Sequence, residues 1–252
     1  LTAREARAAG IHMAFAPVAD VNVNAANPVI NTRSYGADPI DVAERVATFI
    51  EGAEEAGLLT AAKHFPGHGD TEADSHLELP VVTASRLRLE TVELVPFRAA
   101  IAAGVTAIMT AHVAVPALEP NGEIRPATLS REIITDLLRR NMGFDGLIVT
   151  DGLMMDGVHE GRPTGEVAVE AVIAGSDILL MPPSAREAID AVVAAVEEGR
   201  IDEARIDASV RRILRAKARI RLPEERLVDL ERSRVVLGSP EHVSWAQEVA
   251  DR

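Results

Sequence analysis

The sequence predicts a parallel α/β fold wound as a βα barrel, and three observations carry that expectation. Short apolar runs alternate with longer amphipathic stretches along most of the chain, the pattern of repeated βαβ units. The apolar runs show little polar alternation, as strands buried on both faces of a parallel sheet do. After each run the ionisable residues gather at its C-terminal end. A barrel collects its functional side chains in that way, from the ends of several successive strands. A doubly wound sheet would concentrate them at one switch point.

Each element follows in order. Met13–Val18 reads as the first strand, and a polar stretch from Asp20 to Arg33 comes after it. Pro39–Ala56 is a helix, because Ile40, Ala43, Ala47, Ile50 and Ala53 recur at three- and four-residue spacing and Gly57 is placed to end it. Leu59–Lys63 is the second strand and Leu87–Ala103 the next helix. Ala107–Val113 and Gly146–Thr150 are strands flanking the helix Ser130–Asn141. Gly165–Ala174 is a helix, Asp177–Met181 a strand and Ala185–Glu198 a helix. Beyond Ile201 the pattern is helical and charged over Glu203–Arg221, loop-like over Leu222–Pro240, and helical again from Glu241.

Only five strands are read here, where a closed barrel has eight, so the barrel is expected to be incomplete. Leu1–Gly10 already reads as mid-helix, which places the missing strands before Leu1. The expected division is an incomplete barrel over residues 1–221 and a linker into a further domain over residues 222–252.

Bulk composition narrows the function. The 252 residues are 47% hydrophobic, ample for a buried core, and carry a net charge of −13. That balance argues against a nucleic-acid partner or an anionic membrane surface. No apolar run reaches the ~18 residues of a membrane span, and no signal-peptide pattern opens the chain. Zero cysteine excludes disulfides and thiolate chemistry while leaving both a cytoplasmic and an exported location open.

Three segments carry candidate chemistry. KHFPGHGDTEADSH, Lys63 to His76, holds three of the seven histidines, with Pro66, Gly67 and Gly69 permitting tight turns. Asp74 and His76 are close enough for the carboxylate to hold the imidazole, which suits a general acid. His64, His68, Asp70, Asp74 and His76 also have zinc-ligand chemistry, but their spacing matches no helical zinc motif and Lys63 would repel a cation. No metal and no cofactor is therefore expected. In LIVTDGLMMDG, Leu147 to Gly157, Asp151 stands at a strand end, either as a nucleophile or as a cap of the next segment. Asp156 reads as a helix cap. In NPVINTRSYGADP, Asn27 to Pro39, Arg33 offers a fork of donors for sugar hydroxyls or a carboxylate, or else a surface ion pair. His112, in TAHV, is either a satisfied core-edge histidine or a ligand contact.

Together KHFPGHG, the DSH after it, IVTD-x-L-M and FAPVADVNVN…NPVI…RSYG resemble glycoside hydrolase family 3, in particular its NagZ-type β-N-acetylglucosaminidases. The resemblance runs from about Ile11 to Pro182. It implies a (β/α)8 TIM-type barrel and a retaining exo-β-N-acetylglucosaminidase acting on peptidoglycan or chitin-derived fragments. Asp151 would be the nucleophile, and His76, held by Asp74 on a mobile loop, the general acid/base. Lys63, His64 and Arg33 would bind the sugar, with His112 and Met154 as further substrate contacts. A β-glucosidase and an N-acetylglucosaminide phosphorylase are the alternatives within the family, and an inactive carbohydrate-binding barrel is the alternative outside catalysis. The family's DQEGG-like segment has no counterpart in this sequence. SPEHVSWAQEVADR, at the other end, is similar to the linker and opening helix of a C-terminal α/β sandwich domain.

Overall fold

The structure is a computed structural model that describes residues 1–252 except Glu160, Glu225 and Arg252. Its elements are α1 (Thr2–Ala8), β1 (Met13–Ala14), α2 (Pro39–Glu55), β2 (Leu59–Phe65), α3 (Arg86–Thr91), α4 (Val95–Ala102), β3 (Ala107–Thr110), a π-type helix (Glu132–Asn141), β4 (Leu147–Val149), α5 (Asp156–His159), α6 (Thr164–Ala174), α7 (Ala185–Glu197), α8 (Glu203–Arg219), α9 (Leu230–Val236) and α10 (Pro240–Ala250).

The four strands form one parallel sheet in the order β1-β2-β3-β4. Ile178 adds a fifth parallel rung beside Val149, with Thr150 N donating to Ile178 O and Asp177 N to Ile148 O. Spatial order thus follows chain order without reversal, which is the arrangement of a barrel wall and not of a doubly wound sheet. No strand pairs with the outer edge of β1 among the described residues.

Strand residues alternate between two faces with period two. Ala62, Ile108 and Ile148 point into the main core with Val42, Val46 and Ile50 of α2, Phe97 of α4 and Ile133 and Leu138 of the π-type helix. Phe65 meets Phe97 edge-on, with ring centroids 5.2 Å apart. Ala61, Ala107, Leu147 and Val149 point the other way and are met by Ile213 and Ala216 of α8.

Where boundaries differ from expectation, prolines and caps explain most of the difference. The first strand shortens to two residues because Pro17 has no N–H, although Ala16 and Pro17 still accept from Ala61 N and Lys63 N. The single helix expected over Leu87–Ala103 breaks in two. Pro96 sits in the first turn of α4 and cannot donate back into α3. The Leu222–Pro240 stretch is not all loop: Asp229 accepts from Glu231 N and Arg232 N and so caps α9. That helix and α10 lie against α1, through Ser233 Oγ donating to Ala8 O and His242 Nδ1 at 2.8 Å from Glu5 Oε1. None of the helices is long and apolar enough to cross a membrane among the described residues.

Candidate active site

Because all strands run the same way, their C-terminal ends share one face, and the polar segments after β1, β2, β3 and β4 meet there. Asp20, just after β1, is wholly buried. One carboxylate oxygen lies 2.7 Å from His64 Nδ1, and the other accepts from His68 N at 2.7 Å. His64 N donates to the same carboxylate. These bonds hold the carboxyl below its usual range against the opposing cost of burial, the largest single influence on it. Ser34 Oγ donates to the Asp20 carbonyl, which fastens the Arg33 loop to the same point.

Lys63 and His64 close β2. Lys63 is half-buried, and its ammonium is pushed down mainly by desolvation and next by the charge of Arg33, while Asp151 and Asp20 oppose the shift. On the far side of His64, Nε2 lies 3.4 Å from Arg33 Nη2, and Arg33 Nη1 donates to Val29 O. Lys63, His64 and Arg33 therefore come together around Asp20, which also has Asp151 within electrostatic reach of Lys63.

The turn after His64 is built by close approach. A Cβ on Gly69 would sit 1.9 Å from Val21 O, and one on Gly67 would sit 2.9 Å from Glu93 Cβ. Both glycines are packed against neighbouring backbone or side chain, which leaves no room for a side chain at either position. His68 is buried with Thr71 Oγ1 on Nδ1 and Ser75 Oγ on Nε2, each at 2.8 Å, and burial pushes its pKa down. Asn27 fixes the same turn, donating to His68 O and Thr71 Oγ1. Behind Gly67, the buried Glu93 has its carboxyl raised by desolvation. Arg88 Nη2 approaches it at 3.1 Å, off the line of a hydrogen bond.

Asp74 and His76 form the expected pair. Asp74 Oδ1 lies 2.7 Å from His76 Nδ1 and also accepts from His76 N at 2.9 Å. The backbone bond is the main cause that lowers the Asp74 carboxyl. The imidazole is 58% exposed. Its segment is held at two points, by the Ser75–His68 bond and by Asp156 N donating to His76 O. Gly157 lies too close to Ser75 O and Glu78 O to carry a side chain, so α5, which Asp156 opens, packs flat on this segment.

Asp151 follows β4 and is half-buried. Its Oδ1 accepts from Gly152 N at 2.8 Å, and no other described side chain donates to it. Its charge is felt at Lys63, His68 and His112. His112 is wholly buried, with Nε2 3.1 Å from Gly152 O and Nδ1 2.8 Å from Thr128 Oγ1. A carbonyl only accepts, so Nε2 carries the proton toward Gly152 O, while Thr128 Oγ1 lies between Nδ1 and the Ala111 carbonyl. Burial pushes this imidazole down to about 4, against the pull of Asp151. Both ring nitrogens are thus engaged inside the protein, bracing the turn that carries Asp151. Met154 is 57% exposed on the same turn. No group of three or more possible metal ligands converges among the described residues.

The sequence singled out Arg33, Lys63, His64, Asp74, His76, His112, Asp151 and Met154, weighed His68 only as a metal ligand, and gave Asp20 and Asn27 no role. The signal for Asp20 was its place straight after the first strand; its partner His64 is 44 residues away.

The model of the glycosyl hydrolase family 3 N terminal domain matches residues 1–216. A β-N-acetylglucosaminidase/β-glucosidase of Cellulomonas fimi is 38% identical over 254 residues, covering 98% of this chain and 45% of that protein. A solved family 3 β-N-acetylglucosaminidase from Paenibacillus sp. str. FPU-7 superposes with a TM-score of 0.87 at 46% identity, over 93% of this chain and 47% of that one. The β-glucoside phosphorylase BglX superposes with a TM-score of 0.93 at 32% identity, over 99% of this chain and 46% of that one. The chain spans about half the length of these relatives. With the family model matching most of its length and its parallel βα architecture shared, the chain belongs to glycosyl hydrolase family 3.

Proposed function

We propose that the chain carries the catalytic machinery of a retaining exo-β-N-acetylglucosaminidase that removes terminal non-reducing N-acetylglucosamine from peptidoglycan or chitin-derived fragments. Residues 1–221 would be the catalytic unit and residues 222–252 the segment leading onward. The observation that carries this reading is the Asp74–His76 pair, a hydrogen-bonded imidazole on the face where Asp151 ends β4.

Asp151 attacks the anomeric carbon with the oxygen not held by Gly152 N, through an oxocarbenium-like transition state. His76 gives a proton to the departing oxygen, leaving a glycosyl ester on Asp151. Water then attacks that ester while His76 takes back a proton. Retaining glycosidases usually pair two carboxyl groups; here a histidine stands for one of them. Lys63, His64 and Arg33 supply donors and an acceptor for the ring hydroxyls, and Met154 offers an apolar surface beside the nucleophile.

A histidine acid is neutral or cationic and never anionic, so it does not repel phosphate. With the likeness to BglX, this favours phosphorolysis as the second reading. The test is turnover of nitrophenyl N-acetyl-β-glucosaminide against the β-glucoside, with and without phosphate. Preference for the N-acetylated substrate and a free-sugar product are expected, and Asp151→Ala should abolish turnover. Preference for the glucoside would sink the substrate assignment, and a phosphate-dependent sugar 1-phosphate would change the reaction class.

A further inference from the structure

The buried carboxylate of Asp20 has no place in the chemistry above, yet three donors converge on it. It makes contact with His64 Nδ1, His64 N and His68 N, and its own carbonyl takes the Ser34 hydroxyl. An ionised carboxylate only accepts hydrogen bonds. The short contact at 2.7 Å therefore places the proton of His64 on Nδ1. Nε2 is then a lone pair, which is what the neighbouring Arg33 Nη2–H at 3.4 Å requires.

We propose that Asp20 is a positioning residue that fixes His64 as the Nδ1–H tautomer, so that Nε2 meets the sugar as a hydrogen-bond acceptor beside the donors of Lys63 and Arg33. The inference rests on the reading of Lys63, His64 and Arg33 as sugar contacts. It also assigns a second task to the same carboxylate. By taking the His68 amide it ties the turn that leads to Asp74 and His76 to the strand end. One buried charge thereby sets both the polarity of a sugar contact and the starting point of the acid-bearing segment.

Asp20→Asn is the informative change, because the side-chain shape persists while one oxygen becomes a donor. An amide group turned toward Nδ1 would drive the proton to Nε2 and aim it at Arg33. Turned the other way, it would face the His68 N–H donor. The expected result is a loss of roughly tenfold to a hundredfold in kcat/KM, the worth of a hydrogen bond to a charged group. Added to His64→Ala, the same substitution should cost clearly less than it does alone, because only the part of its loss that runs through the His68 amide remains. Full additivity of the two losses would overturn the proposal.

Nitrogen-15 NMR of the unaltered protein supplies a readout independent of turnover and of whether the variant folds. A His64 lone-pair signal on Nε2 is expected, and a lone-pair signal on Nδ1 would overturn the proposal. Should the protein prefer glucosides, the functional reading fails while the tautomer still stands or falls by itself.

Discussion

In the Asp20–His64 pair the imidazole Nδ1 lies 2.7 Å from a carboxylate oxygen, and in Asp74–His76 the same atoms are also 2.7 Å apart. The surroundings differ completely. Side-chain exposure is 5% for His64 and 0% for Asp20, but 58% for His76 and 36% for Asp74. A buried carboxylate must have its remaining lone pairs satisfied by protein, and Asp20 does so with two backbone amides reaching in from the next strand end. Asp74 needs no such help, because water reaches it. Its bond to His76 N is a local turn across two residues. Burial thus turns one pair into a fixed post, and exposure leaves the other free to exchange protons and to shift. A sugar contact gains from the first condition, and an acid that must be reprotonated in every turnover gains from the second.

The largest effect that would test this contrast is on stability. Asp20→Ala removes one partner of a buried pair and orphans several donors, so a loss of about 3–5 kcal/mol is expected, read as a shift of the urea midpoint. A loss below about 1 kcal/mol would mean that the two pairs do not differ as their burial indicates.

The converse test is catalytic. His76→Ala should change stability by less than about 1 kcal/mol yet lower kcat by roughly 10²–10⁴ on substrates with a sugar or alkyl leaving group. On nitrophenyl substrates, which need little protonation, the loss should be far smaller. An equal loss on both classes would remove His76 from the role of acid.

Much of this site was legible and some of it was not, and the division has a physical cause. The motif around Lys63, with its strand, its turn residues and its DSH, is local in sequence, so the pair Asp74–His76 could be read directly. Asp20 and His64 are joined across 44 residues, and His112 reaches Gly152 across 40. Only the parallel sheet brings such groups together, and a single sequence carries no trace of the register. Gly69 shows the same limit. It reads as a residue that permits a tight turn, whereas the backbone of Val21 passing over it is what demands the missing side chain. The strand assignments succeeded because buried parallel strands are apolar throughout; the first strand's end slipped where Pro17 removed a donor, and one expected helix broke where Pro96 did the same.

The next effect is a pH dependence. His112, held neutral, has its pKa lowered to about 4, and His68 is lowered in the same direction. An unfolded histidine takes up a proton below about 6.5, where the folded one does not. Stability is therefore full above that pH and falls as the pH drops from about 6.5 to about 4. The contribution of His112 to this fall is on the order of 3 kcal/mol. Urea midpoints measured across this range should show it, and His112→Gln should flatten the curve. An unchanged slope in the variant would assign the dependence elsewhere.

The smallest effect separates the two pairs most cleanly. The exposed pair lies in water, so Asp74→Asn should cost less than about 1 kcal/mol. Screening shortens from about 10 Å at 0.1 M salt to about 3 Å at 1 M, so even that cost should vanish as salt is raised. Asp20→Asn should be nearly indifferent to salt, because ions cannot enter between Asp20 and His64. A penalty for Asp74→Asn that persisted at 1 M salt would show the segment closed in solution, with Asp74 and His76 out of water before any sugar arrives. The acid would then be preorganised like the buried pair. The freedom to move would belong to Met154 and the rest of the turn after Asp151, not to the histidine.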